Sequence, residues 1–290
     1  MGCLTALFFL FTSQIIPMKK LKLLDTFSGI GGFSYAAEKL VGGFKTTQFI
    51  EIDPYCQKVL KKHWPHVPIH DDITTFTAKP FQYDVICGGF PCQSISQIGT
   101  REGITETSKS GLWFQLIRTI RMVRPKFFIL ENVSAILGNG LDIVLRDIYE
   151  TGLYECEWAT FPASYLGAAH QRDRWYMLGI STDTNSFRYR GRSSERCSIQ
   201  ERKLFQSEQT RGEVGSETQR CSSNTFKWRN TKHRLDPNWK EYDVKPTILR
   251  EVDGLSRGLD KNRIHALGNS LVPQAAAIPL QRVLDLERNL

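Results

Sequence analysis

Leu21-Lys22-Leu23-Leu24-Asp25-Thr26-Phe27-Ser28-Gly29-Ile30-Gly31-Gly32-Phe33 reads as a strand, a glycine turn and the start of a helix. Leu21 to Leu24 is a short apolar strand, Gly29, Gly31 and Gly32 make the turn, and Tyr35, Ala36, Ala37 and Leu40 recur at helical spacing. Glycine at such a junction lets backbone come close to a ligand, and a helix N-terminus offers unpaired N–H groups. A tight strand–helix connection needs glycine on its own account, so the turn speaks for the fold before it speaks for a ligand. Its spacing departs from the G-x-G-x-x-G of a dinucleotide site, which counts against an oxidoreductase.

The same alternation continues outward. Thr47 to Ile52 is a second strand, with Glu51 near its end. Asp53-Pro54 then marks the start of a helix over Cys56 to His63, the Asp as N-cap and the Pro in the first turn. Tyr83 to Cys87 and Phe127 to Leu130 are further buried strands. Between them Leu112, Leu116, Ile117, Ile120 and Val123 repeat at helical spacing until Pro125. Ala275 to Leu286 reads as a closing helix. Strands alternating with helices predict an α/β fold, a doubly wound and mostly parallel sheet covered on both faces. Ligands of such sheets bind at the carboxyl ends of the strands.

The chain has 290 residues, 41% hydrophobic and 23% charged, which excludes a fibrous or wholly disordered protein. Seven cysteines without a C-x-x-C pair predict reduced thiols and a cytoplasmic location. The formal net charge of +8 points to an anionic partner. Residues 186–234 carry twelve Lys or Arg against five Glu, nearly the whole excess. This segment is read either as a solvated insert or as a nucleic-acid surface with Tyr189, Trp228 and Trp239 interleaved. At the other end, Leu4 to Ile16 is apolar but shorter than the ~20 residues that span a bilayer. No basic flank precedes it, as a signal peptide would need, and no membrane association is expected. Residues 1–17 are expected to add nothing to the fold, with Met18 as a plausible start.

Three short motifs carry chemistry. Gly88-Gly89-Phe90-Pro91-Cys92-Gln93 follows a strand, which puts the Cys92 thiol at the sheet's carboxyl edge, with a polar loop from Ser94 to Ser110 able to close over a substrate. Glu131-Asn132-Val133 follows the next strand and would bring a carboxylate beside that thiol. Arg172-Asp173-Arg174 precedes the apolar Trp175 to Leu178, and two arginines alternating on a strand would point the same way. Taken singly, each has an ordinary explanation: a buried small hydrophobe, a helix cap, a surface ion-pair ladder. His63, His66, His70, Asp71 and Asp72 cluster, but Pro65 and Pro68 break the spacing that would align them on a metal, and none is expected. Cys156, Cys197 and Cys221 lack metal-type spacing as well.

Together and in this order the motifs resemble the DNA cytosine-5 methyltransferases of the compact bacterial and phage kind. The resemblance runs from about Leu21 to Ile180 and returns at Arg263 to Gln274. It implies a class I S-adenosylmethionine-dependent, Rossmann-like catalytic domain with a small, irregular target-recognition domain. It implies S-adenosyl-L-methionine as cofactor, held by Phe27, Ser28, Gly29, Ile30 and Gly31 of the turn, by Glu51 and Ile52, by Asp72 and Ile73, and by Pro91, Leu112, Asn269 and Ser270. Cys92 would be the nucleophile on carbon 6 of a flipped-out cytosine, Glu131 the group at the ring nitrogen, and Arg174 with Arg172 the hold on the exocyclic oxygen and local phosphate. The position two before Arg172 is His170, where the family often has Gln. The domains expected are 18–181 for catalysis and cofactor, 182–254 for target recognition, and 255–290 returning to the catalytic domain. The expected partner is double-stranded DNA, and the expected state is a monomer. A cognate restriction endonuclease and the recognised bases stay open. Two alternatives differ in substrate or activity: transfer to an RNA such as tRNA, and a silent DNA-binding relic.

Overall fold

Every residue of Leu21–Thr26 (β1) except Lys22 is buried, as a strand covered on both faces requires. β1 is central. It pairs in parallel with Phe44–Ile50 (β2) on one side and with Val85–Gly89 (β4) on the other. The two-residue Ile69–His70 (β3) lies outside β2, and Phe127–Val133 (β5) beyond β4, both parallel. Arg174–Ser181 (β7) then runs antiparallel between β5 and Tyr154–Phe161 (β6). The order β3-β2-β1-β4-β5-β7-β6 gives a seven-stranded, mostly parallel sheet whose direction of growth reverses between β1 and β4. The computed structural model describes residues 19–91, 111–168, 172–183 and 257–288.

Helices cover both faces, as a doubly wound sheet demands. On one face Gly32–Tyr35 (α1) and its continuation pack with Pro273–Arg288 (α6) over Leu21, Leu23, Val85, Cys87, Phe127, Ile129 and Leu178. On the other, Leu112–Val123 (α3) and Leu141–Tyr149 (α4) cover Leu24, Ile86, Phe128, Leu130 and Met177. Alternate residues of one strand therefore feed opposite cores. Pro54–His63 (α2) begins as its sequence predicts. Asp53 Oδ1 accepts from the N–H groups of Tyr55 at 2.7 Å and Cys56 at 3.0 Å, and Pro54 occupies the first turn. Arg257–Asn269 (α5) brings the chain back from the end of the sequence to the glycine turn.

Several expectations need correction. The helix after the turn is α1 for only four residues and then widens into a π-helix over Ala36–Val41, which ends at Gly42 with φ 77°. The second strand is Phe44–Ile50 rather than Thr47 to Ile52, so Glu51 stands just past its end. The strand before Cys92 is Val85–Gly89 and takes in both glycines. Glu131-Asn132-Val133 does not follow β5 but forms its last three residues. The apolar run stops at Leu130, yet the ladder continues, because Glu131 is held between Gly89 of β4 and Tyr176 of β7. Arg172 is not on β7 at all. Its backbone is left-handed, φ 41°, and the strand starts two residues later, so the two arginines are not an alternating pair. Residues 1–17, Cys92, the loop from Ser94 to Ser110, His170, Cys197, Cys221 and the basic segment 186–234 lie outside the described residues.

Candidate active site

The turn after β1 is built from buried polar contacts. Ser28 Oγ donates to the Asp25 carbonyl at 2.6 Å, and the Ser28 N–H donates to the Ile50 carbonyl at 3.1 Å, tying the turn to β2. Asp25 Oδ2 accepts from Ser34 Oγ at 2.6 Å and Ser34 N–H at 3.1 Å, which fixes the first turn of α1. Burial raises the Asp25 carboxyl to about 7, against the opposing pull of those two hydrogen bonds. The two glycine flanks differ sharply. A side chain on Gly29 would meet nothing, whereas one on Gly31 would lie 2.6 Å from the Trp64 ring. Trp64 is itself held by its Nε1–H to Glu38 Oε2 at 3.0 Å. The turn thus has an open outer side and a packed inner one.

Glu51 closes one end of this shelf. Its Oε2 accepts from Gly29 N–H at 2.6 Å and its Oε1 from Asp53 N–H at 2.8 Å. Burial raises its pKa while those N–H groups pull it down. A carboxylate accepts up to about four hydrogen bonds, so Glu51 keeps capacity for a further donor. Beside it Ile52 is 71% exposed, an unusual state for a large apolar side chain, and Phe27 is left-handed with φ 51°. Asp72 Oδ1 accepts from Thr74 N–H at 2.8 Å, a bond that lowers its pKa, while Ile73 is buried in the α3–α4 core. The backbone after Asp72 is gripped from α3. Arg118 Nη2 donates to the carbonyls of Ile73 at 2.7 Å, Phe76 at 3.2 Å and Thr74 at 3.3 Å. Leu112 opens α3, half-buried against the same core. Ser270 completes the shelf from the far end of the chain, 3.6 Å from where a side chain on Gly32 would start. The neighbouring Asn269 is exposed, its amide against the His265 ring.

Glu131 lies two strands away, at the same edge of the sheet. Its Oε1 is 3.0 Å from Arg174 Nε, both side chains being largely buried. Burial raises the Glu131 pKa; Arg174 first and Arg172 second pull it back. A side chain on Gly89 would start 2.8 Å from Glu131 Oε2 and would push the carboxylate from its place beside Arg174. Tyr176 is paired with Glu131 across the ladder and stacks on Phe161 at 4.9 Å. The segment leading to Cys92 is anchored as far as it is described. The Phe90 carbonyl accepts from Asn132 Nδ2 at 3.3 Å, and the Phe90 ring meets Trp113 at 5.3 Å. Trp113 Nε1–H donates to the buried Asp147 at 2.7 Å. Pro91 is the last residue described before Cys92.

The fold therefore brings Phe27, Ser28, Gly29, Gly31, Glu51, Ile52 and Ser270 to one shelf and Glu131 with Arg174 to a second site nearby. Arg172 goes elsewhere: its Nη2 donates to the carbonyls of Gly268, at 2.9 Å, and of Ser270. Sequence reasoning missed Arg118, Trp64 and the support that Asn132, Trp113 and Asp147 give to Phe90. Arg118 shares its helix with a second cation, Arg121, so the sequence does not single it out.

A seven-stranded sheet with a single reversed strand, a glycine turn after its first strand and an acid after its second, is the class I methyltransferase form of the Rossmann-like fold. The C-5 cytosine-specific DNA methylase family matches residues 21–274, and the chain belongs to that family. It is 38% identical over 166 residues to the type II methyltransferase M.CviJI of Paramecium bursaria Chlorella virus IL3A, covering 56% of this chain and 44% of that protein. It is 35% identical over 181 residues to the type II methyltransferase M.HpaII of Haemophilus parainfluenzae, covering 59% and 49%. The matched part of the chain thus spans less than half the length of these curated relatives. The Entamoeba histolytica methyltransferase EhMeth shares the fold at a TM-score of 0.55 and 16% identity, over 92% of this chain and 99% of that one. Among the described residues no helix is long and apolar enough to cross a membrane.

Proposed function

We propose that the protein transfers a methyl group from S-adenosyl-L-methionine to carbon 5 of cytosine in duplex DNA. The observation that carries this reading is the buried Glu131–Arg174 pair at the strand edge that leads, through Phe90 and Pro91, to Cys92. The shelf fits the cofactor: Gly29 faces open space, Glu51 retains acceptor capacity for ribose hydroxyls, and exposed Ile52 offers an apolar surface to an adenine ring. Phe27, Ser28, Ile30, Gly31, Asp72, Ile73, Pro91, Leu112, Asn269 and Ser270 would complete its pocket. When bound, S-adenosyl-L-methionine supplies an electrophilic methyl group.

Carbon 5 of cytosine is a poor nucleophile. The Cys92 thiolate adds to carbon 6, and electron density moves through the ring toward carbon 5. Glu131 shares or donates a proton at the ring nitrogen, so that charge does not accumulate there; its raised pKa suits that role. Arg174 holds the Glu131 carboxyl in place and offers its remaining N–H groups to the exocyclic oxygen. Once carbon 5 has taken the methyl group, loss of the carbon 5 proton to a base and elimination of the thiolate would give the methylated base and restore the enzyme. The base must leave the duplex for any of this, and the loop after Cys92 is suited to cover it. The basic segment 186–234 would meet the phosphates. The names of the relatives, type II methyltransferases, agree with a restriction–modification context.

Tritium transfer from labelled cofactor into duplex DNA, with bulk tRNA in parallel, tests the reading. Label in DNA is expected for the wild type, none for Cys92→Ser, and a loss of about 10²–10⁴-fold for Glu131→Gln. Full activity of Cys92→Ser contradicts the mechanism. Label confined to tRNA contradicts the substrate, and duplex binding with no label contradicts the activity.

A further inference from the structure

Arg172 stands beside the base site in sequence but is bonded to the cofactor side in space. Its left-handed backbone, φ 41°, turns the side chain off the line of β7. Nη2 then donates to the carbonyls of Gly268 and Ser270, 96 and 98 positions further along the chain. These carbonyls belong to the last turn of α5 and the residue just beyond it, where helix carbonyls lack intrahelical partners and a cation is favoured. The next residue fixes the same corner to the glycine turn: a side chain on Gly32 would start 2.9 Å from Leu271 Cγ. The Gly268–Leu271 corner is thus held from two sides, by packing on Gly32 and by the guanidinium of Arg172. The Arg172 charge also opposes the upward shift of the Glu131 pKa.

We propose that Arg172 is a positioning residue of the cofactor pocket: it clamps the Gly268–Ser270 carbonyls, which seats Asn269 and Ser270 against the glycine turn, and it leaves the target base to Arg174. The proposal rests on the S-adenosyl-L-methionine reading above. Both bonds leave one nitrogen, Nη2, whose two N–H groups serve two carbonyls of one turn. Arg174 is directed otherwise: its Nε faces Glu131 and its Nη1 donates to the Asp173 carbonyl. Two adjacent arginines of one motif therefore divide their work between cofactor and base.

The test is equilibrium binding of S-adenosyl-L-methionine to the full chain without DNA, so that no base or phosphate is present for Arg172 to hold. Arg172→Gln is expected to weaken binding about tenfold to a hundredfold, the effect of losing charge-assisted hydrogen bonds, and Arg172→Lys to weaken it less. Leu271→Ala, which loosens the same corner and leaves both arginines in place, is expected to weaken it too. Arg174→Gln is expected to bind cofactor as the wild type does while losing turnover. Thermal midpoints of all variants are read in parallel. If Arg172→Gln and Arg172→Lys bind cofactor like the wild type yet lose turnover or DNA affinity, Arg172 belongs to the base and the proposal is overturned. Wild-type protein that fails to bind cofactor at all overturns the cofactor reading itself, a result distinct from the first.

Discussion

Asp25 shows how a single side chain sets a condition on the whole site. It is 1% exposed and accepts two hydrogen bonds from Ser34 on one oxygen, and its other oxygen has no partner among the described residues. Its carboxyl is raised from 3.8 to about 7. The native state therefore holds a proton that the unfolded chain has released, and stability falls as pH rises from about 4 to about 7. The linked loss is roughly 4 kcal/mol, an order-of-magnitude figure. Asp25→Asn keeps an acceptor for Ser34 and removes the charge. Thermal unfolding from pH 5 to pH 8 is expected to show a decline in the wild type that is much flatter in Asp25→Asn. Parallel declines would place the titrating group elsewhere. The strand was expected to end at Leu24, and Asp25 was legible only as the head of the glycine-turn motif; its burial as part of β1 follows from pairing that continues to Thr26. Cys92, Glu131 and Arg174, by contrast, were expected as one set from the order of their motifs; Glu131 and Arg174 meet, and Cys92 lies outside the described residues. The separate course of Arg172 was not, since it depends on a left-handed residue that no local motif requires.

At the scale of elements, the strand–turn–helix unit was read almost as it stands. Asp53 caps α2 as expected, and α6 covers the expected closing stretch. The length of β5 was underestimated because periodicity ends with the apolar run, whereas pairing ends only where the neighbouring strands do. The helix α4 and strand β6 went unread, although Leu141, Val144, Leu145 and Ile148 carry helical spacing and alternate residues of Tyr154–Phe161 turn inward near its end. The π-helical turn after α1 has no signature in a single sequence. Within the glycine turn, the structure separates two glycines that the sequence treats alike. Gly29→Ala meets only the strain of a positive φ, about 1 kcal/mol. Gly31→Ala adds a collision with Trp64 and Leu60, about 3 kcal/mol in all. Chemical denaturation is expected to rank Gly31→Ala well below Gly29→Ala in stability; equal losses would mean that Trp64 does not support the turn.

Across the whole molecule, one sheet edge would serve both halves of the proposed reaction. The glycine-turn shelf lies beside the point where the strand order reverses, and the Glu131–Arg174 pair lies two strands along, at the β5–β7 pair. Their common frame is the parallel sheet, and that much follows from the alternation of strands and helices. The basic surplus of residues 186–234 has no periodicity to interpret, so its role rests on charge alone. If it neutralises phosphates, the logarithm of DNA affinity should fall linearly and steeply with the logarithm of salt concentration. A chain lacking 186–234 that keeps its affinity and its salt slope would assign that segment to solvation. The matched part of the chain spans less than half the length of the curated relatives M.CviJI and M.HpaII.

The central claim is a transient bond between the Cys92 sulfur and carbon 6 of cytosine. Intact-mass measurement of the full chain after incubation with S-adenosyl-L-methionine and random-sequence duplexes carrying 5-fluorocytosine tests it most directly. Fluorine in place of the carbon 5 hydrogen blocks the final elimination. A denaturant-stable protein–DNA adduct, mapped by peptide sequencing to Cys92 and missing from Cys92→Ser, is the predicted result. A cofactor-bound, folded protein that methylates ordinary duplexes yet leaves the fluorinated ones unattached would contradict it.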